Sequence, residues 1–302
     1  GGRGKGAQHA AVGRPPGPHS IRQTLAMDTA EHMRTVDEEG RLLAAAAREA
    51  GTGAEVPTCP GWRVRDLLRH TGTVHRWATG FVADGHPVPR APGAEPELDG
   101  EPLVAWYEEG HGRLVDTLRA APADVACWSF LPAPSPLAFW ARRQAHETTV
   151  HRADAQSALG GTPTGPAAAL AVDGIDELLL AFHARPRSRV RTDEPRVLRV
   201  RATDTGVVWT MRLSPEPPVT TRTATLTGPH GGAERGPDAD MHMNANAELD
   251  ANADLNVDAD CEITGPASQL YLSLWNRVPF PSVTGDPSLA ALWRDNSGII
   301  MG

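Results

Sequence analysis

The chain has 302 residues, 40% of them apolar, enough for a buried core and for two domains. Its net charge of −8 is concentrated: residues 234–260 hold eight acids and one base, so the rest is near neutral and has no basic block suited to nucleic acid. No run of about 18 apolar residues predicts a membrane span, and the first residues lack the apolar core of a signal peptide. Cys59, Cys127 and Cys261 lie far apart, which argues against a disulfide framework and fits a reducing, cytoplasmic setting.

Residues 1–26 are rich in Gly, Pro, His and Arg without periodicity and read as a disordered tail, with Met27 as the true start. A first helix is expected over 28–50, with Leu42, Leu43 and Ala46 on its apolar face. PTCPGW (57–62) reads as a turn, followed by a helix from Val64 to Phe81. Leu67, His70, Val74 and Trp77 are spaced three, four and three apart, so His70 shares the apolar face. Helices over 101–120 and 137–158 complete the pattern of a four-helix bundle, assigned to residues 27–160.

A fifth helix is expected over 166–184. Strands at 196–203, 206–213, 223–228 and 261–265 read as antiparallel, and helices follow at Gln269–Arg277 and Pro287–Arg294. Residues 161–302 thus form a second, α+β domain. Residues 229–260 interrupt it with near-repeats of Asp, Asn and Ala. The spacing of Asp250, Asn252, Asp254, Asn256 and Asp258 resembles a calcium loop, but the sixth position is Leu255 and the twelfth is Cys261. A solvated low-complexity insertion is the better reading, with weak calcium binding as the lesser one.

The run AHETTVHRAD carries the chemistry. Glu147 and His151 are four residues apart, within roughly 40° of each other on a helix, and can grip one divalent cation. His146 lies five residues from His151, roughly 140° away, so this is not the zincin pattern of two histidines four apart. With His70 the set becomes three protein ligands and one open position, as in catalytic zinc sites. The alternatives are a core histidine at position 70 and a surface Glu–His pair on the fourth helix. Phe139, Trp140 and Val150 favour burial of that helix, and a buried glutamate is costly unless paired. Asp154 could accept a hydrogen bond from the His151 ring, or could cap the helix or pair with Arg152. His75, His111 and His146 read as structural or exposed.

PTCPGWRVRDLLRHTGTVHRWA (57–78) and ARRQAHETTVHRADAQSALG (141–160) resemble the mycothiol-dependent maleylpyruvate isomerase family of actinobacteria. GPASQLYLSLWNRVP (265–279) and VTGDPSLAALW (283–293) are similar to its C-terminal domain. The resemblance runs from about Met27 to Asp295, without the acidic insertion. It implies a DinB-like bundle, then a sterol-carrier-like domain. It also implies zinc on His70, Glu147 and His151, with mycothiol's thiol at the open position. The implied reaction turns maleylpyruvate into fumarylpyruvate, with an arginine holding the substrate carboxylates. Arg76, Arg90, Arg143 and Arg152 are all candidates for that role. A mycothiol S-transferase and a non-catalytic metal- or ligand-binding protein are the alternatives. The expected partners are a small-molecule substrate and a low-molecular-weight thiol, with no nucleic acid and no membrane. Cys59 reads as a small buried residue at a helix start, and Trp62 and Trp77 as core.

Overall fold

Three of the four helices of the N-terminal half begin where the sequence supplies a capping side chain. The structure, a computed structural model, describes residues 26–224 and 257–299. Helix α1 (Thr29–Ala50) starts with a capping box: the Asp28 carboxylate accepts from the Glu31 amide, and Glu31 accepts from the Asp28 amide. Helix α2 is Val64–Asp84, and α3 (Gly100–Ala120) is capped by Asp99. Helix α4 (Pro136–Ser157) has Ser135 as its cap and Pro136 in its first turn.

Helix α1 packs along α4 and α2 along α3. The α1–α3 and α2–α4 contacts complete a four-sided bundle in which α1 and α2 face each other across a diagonal. Val36, Leu43 and Ala47 of α1 are buried, whereas Leu42 is exposed, against expectation. It stands about 100° round from Leu43, off the inward stripe.

Helix α4 has no polar face. Arg143, Gln144, His146, Glu147, His151, Arg152 and Asp154 are all buried, although they read as polar in sequence. The helix is covered by the bundle on one side and by the second domain on the other, so each charge needs a partner across an interface.

The second domain opens with α5 (Ala168–Asp176), which runs into a π-helical stretch, Glu177–Phe182. The strands are β1 (Arg196–Ala202), β2 (Val207–Leu213), β3 (Val219–Ala224), β4 (Cys261–Gly265) and β5 (Val283–Gly285). They form one sheet in the order β3-β2-β1-β4-β5. Helix α6 (Ala267–Leu274) packs on α5, and α7 (Pro287–Asn296) lies on β4 and β5.

The all-antiparallel expectation is corrected at one place: β1 pairs with β4 in parallel, with Leu198 opposite Cys261. A parallel pair needs a long connection, and the chain between β3 and β4 supplies one. The third strand begins at Val219, because the hairpin register sets Arg212 opposite Val219 and Val207 opposite Ala224. The rest of its expected span, 225–228, lies outside the described residues, as do nearly all of the tail 1–26 and the insertion up to residue 256.

A single apolar cluster joins the two domains, running from Trp77, Phe81 and Trp140 in the bundle to Trp209, Ile263, Leu270 and Trp293 beyond it. No described helix is long and apolar enough to cross a membrane.

Candidate metal centre

One turn of α4 stacks His151 on Glu147, with Nε2 3.1 Å from Oε1. The inward face of α2 brings His70 Nε2 to 3.4 Å from the same oxygen. Two atoms bound to one zinc ion at about 2.0–2.1 Å with a tetrahedral angle lie about 3.3 Å apart. The observed spacings straddle that value, and all three donors lie within 4.8 Å of one another. Glu147 and His151 are buried, while the His70 side chain is 32% exposed. His70 lines a cavity of about 680 Å³.

The electrostatics of the trio call for positive charge. Burial pushes the Glu147 carboxyl up, but the two imidazoles and Arg143 outweigh it and hold it well below the usual range. Burial likewise disfavours charge on His151, yet its hydrogen bonds to Asp154 and Glu147 lift it to about 9. Such a donor set, two nitrogens and one oxygen anion, suits zinc.

Two outer contacts hold the donors. His151 Nδ1 donates to Asp154 Oδ2 at 2.9 Å, which leaves Nε2 facing Glu147. Asp154 is wholly buried and also accepts from Thr58 Oγ1 at 2.6 Å and from Arg277 Nε at 2.9 Å. Arg143, 1% exposed, reaches Glu147 Oε2 at 3.6 Å and pairs through its other nitrogen with Glu177 of the π-helical stretch. One carboxylate oxygen therefore faces the histidines and the other the arginine.

The PTCPGW turn closes one side of the trio. Val56 N–H donates to the Trp62 carbonyl and Trp62 N–H to the Cys59 carbonyl, around Gly61 at φ +88°. This sets the half-buried Trp62 ring 5.3 Å from His70 and 6.5 Å from His151, centre to centre.

A second trio sits beside the first. His32 Nε2 and His146 Nε2 lie 2.9 and 2.7 Å from Asp173 Oδ2. Arg142 Nε donates to that same oxygen at 3.0 Å, and His146 Nδ1 contacts the Tyr271 hydroxyl at 3.1 Å. These are hydrogen-bond lengths, and an arginine already supplies the positive charge.

Sequence comparison decides the family. The model of the mycothiol maleylpyruvate isomerase N-terminal domain matches residues 33–156, and that of the MDMPI C-terminal domain matches residues 169–292. The chain belongs to the mycothiol-dependent maleylpyruvate isomerase family. That is a family of enzymes. Two crystal structures share the fold. One, a mycothiol-dependent maleylpyruvate isomerase, is 12% identical with a TM-score of 0.53, over 87% of this chain and 94% of that one. The other, a histidine-to-alanine mutant of the mycothiol-dependent maleylpyruvate isomerase, is 10% identical with a TM-score of 0.53, over 87% and 95%. A search of curated proteins returns no match.

Within this isomerase-family fold the four candidate arginines separate. Arg90 lines the cavity and Arg143 grips Glu147. Arg76 stacks on Trp106, its guanidinium 3.9 Å from the ring centre, and Arg152 pairs with Glu39 at 2.6 Å. Asp154, left open in sequence, is the acceptor for His151 and does not pair with Arg152.

His75 donates to or accepts from Thr148 at 2.9 Å and His111 contacts the Val36 carbonyl at 2.8 Å, both buried and structural. Trp62 packs half-buried against the apolar cluster of Leu43, Leu67 and Leu103 and also walls the trio, and Trp77, though buried, lines the cavity. Cys59 is half-buried beside Arg277, its thiol raised to about 12 by burial and by Asp154. Sequence reasoning missed Arg277, Glu177, His32 and Asp173, which no local spacing connects to the site.

Proposed function

We propose that the chain is a zinc-dependent, mycothiol-using enzyme that converts maleylpyruvate to fumarylpyruvate. The observation that carries this reading is the convergence of His70 and His151 on one carboxylate oxygen of Glu147, at metal-ligand spacing and at the edge of a cavity. Zinc held there would supply a positive centre that favours thiolate over thiol.

The chain's own residues do the rest. Asp154 fixes the tautomer of His151, and Arg143 restrains the second oxygen of Glu147. Trp62 covers the two imidazoles and limits water. Cavity arginines hold the substrate carboxylates through their planar forks, with Arg90 as the candidate retained from sequence. In the isomerisation the thiolate sulfur bonds to one carbon of the cis double bond. The electron pair of the double bond passes to the conjugated carbonyl, the remaining single bond rotates, and the sulfur–carbon bond breaks to restore the double bond and the thiolate. Nothing is oxidised. Three unpaired cysteines support a reducing, cytoplasmic setting. We place the domain boundary at residues 160/161.

A thiol S-transferase is the second reading, favoured by the breadth of the cavity and its aromatic walls. Purified protein supplied with zinc, mycothiol and maleylpyruvate separates the two. Fumarylpyruvate with the thiol recovered supports the isomerase. A thioether product from other electrophiles, with maleylpyruvate inert, supports the transferase. No thiol-dependent turnover in zinc-loaded protein overturns both.

A further inference from the structure

The cavity beside His70 has a composition that a small aliphatic diacid does not need. At about 680 Å³ it falls within the range of pockets for drug-sized ligands. Its wall is a run of four rings. Trp77 lies 6.3 Å from Trp128, Trp128 lies 5.5 Å from Phe130, and Phe130 lies 6.2 Å from Phe182. Trp128 and Phe130 are only half-buried and line the cavity.

Charge enters through arginine. The Arg185 guanidinium lies 5.0 Å from the Phe182 ring centre and 5.9 Å from that of Phe130. The Arg90 guanidinium lies 5.3 Å from Phe81, and its backbone carbonyl accepts from the Trp77 indole N–H. Neither Arg90 nor Arg185 pairs with a carboxylate among the described residues, although Glu95 also lines the cavity. Arg185 Nε donates to the Phe182 carbonyl at 3.4 Å, and a guanidinium set over aromatic rings without a carboxylate keeps its terminal nitrogens for an anion. Burial, with Arg187 nearby, presses the Arg185 guanidinium below its usual value, as a cation lacking a counter-ion should be.

We propose that this cavity takes an anionic aryl compound, its ring system against Trp128, Phe130 and Phe182 and its carboxylate on Arg185 with Arg90. The inference rests on the preceding reading in one respect: the occupant is the electrophile presented to the thiol held at His70, Glu147 and His151. It extends the substrate class from small diacids to aryl-bearing unsaturated acids. The bond changes stay the same, with sulfur adding to the conjugated double bond and leaving again.

The test is calorimetry on the zinc-loaded full chain with three probes: 1-naphthylacetate, its neutral analogue 2-(1-naphthyl)ethanol, and maleate. The expected result is that naphthylacetate binds at least about 10-fold more tightly than either of the others, one good charge-assisted contact being worth roughly that factor. Arg185→Gln, or Arg90→Gln with Arg185→Gln, abolishes the preference over the alcohol. Phe130→Leu weakens both aryl probes about 5-fold and leaves maleate unchanged, as loss of one ring contact predicts. Variants are compared only where circular dichroism and zinc content match the parent.

Maleate binding as tightly as naphthylacetate overturns the proposal, as does an undiminished preference in the double arginine variant. Zinc-free protein keeps the two failures apart. If naphthylacetate binding vanishes with the metal, the carboxylate sits on the metal and the arginine assignment is wrong. If the parent takes up no zinc yet binds naphthylacetate through Arg185, the metal reading fails and the cavity assignment stands.

Discussion

Helix α4 presents two histidine–histidine–carboxylate trios from adjacent positions, His146 on one face and Glu147 with His151 on another, and their surroundings differ in three respects. In the His70 trio the nitrogens stand 3.1 and 3.4 Å from the shared oxygen, whereas in the His32 trio they stand at 2.9 and 2.7 Å. The shared oxygen of Asp173 also accepts from Arg142, while Arg143 reaches only the far oxygen of Glu147. And His70 opens on a cavity, whereas His32 and His146 are 5% and 0% exposed. The same donor types thus serve two ends. Where an arginine already neutralises the carboxylate and no space adjoins it, the trio ties two domains together. Where the charge is left over and a cavity adjoins, it can take a cation.

The largest expected effect separates the trios outright. His151→Ala should lower zinc from about one per chain to near zero by elemental analysis and cut thiol-dependent turnover by at least about 1,000-fold. Asp173→Asn should do the reverse, leaving zinc content unchanged. It strips Arg142 and His146 of a buried partner, so urea denaturation should show a loss of about 3 kcal/mol. Zinc lost together with Asp173 would collapse the distinction.

Histidines outside both trios set the acid limit of the fold. Burial lowers His75 to about 3 and His183 to about 4. A histidine depressed in the folded state stabilises above its unfolded value of about 6.5, and that stability is lost as pH falls toward the folded value. Metal-free protein should therefore lose about 2 kcal/mol or more between pH 7 and pH 5, measured by denaturant titration. His75→Gln should flatten that slope, and an unchanged slope would remove His75 from the account.

The smallest effect concerns the outer contact of Glu147. Arg143→Lys keeps the charge but loses the fork that spans Glu147 and Glu177. Zinc affinity, read by chelator competition, should weaken about 10-fold while the melting temperature moves little.

Much of this was legible in the sequence for reasons of periodicity. The four bundle helices, the first two strands and the last helix each carry a local pattern that sets their limits to within a few residues, whereas α6, with no side-chain cap, lies at Ala267–Leu274 and not at the expected Gln269–Arg277. His70, Glu147 and His151 could be grouped because two share a helix face and the third lies on an apolar stripe. What could not be read is whatever depends on distant pairing. Arg277 meets Asp154 across 123 residues and His32 meets Asp173 across 141, with no spacing rule to join them. Burial of helix α4 was legible from Phe139, Trp140 and Val150, but its partners in the second domain, Glu177, Asp173 and Arg277, were not. The short strand β5 is fully exposed, so no alternation marks it, and the parallel β1–β4 pair depends on a connection whose length, not pattern, permits it.

The central claim is that the chain has one metal centre, on His70, Glu147 and His151. Crystals grown with zinc and measured at the zinc absorption edge test it most directly. The account predicts one anomalous peak about 2 Å from those three donors and none between His32, His146 and Asp173. A peak at the second trio, or no peak at either in zinc-replete crystals, would contradict it.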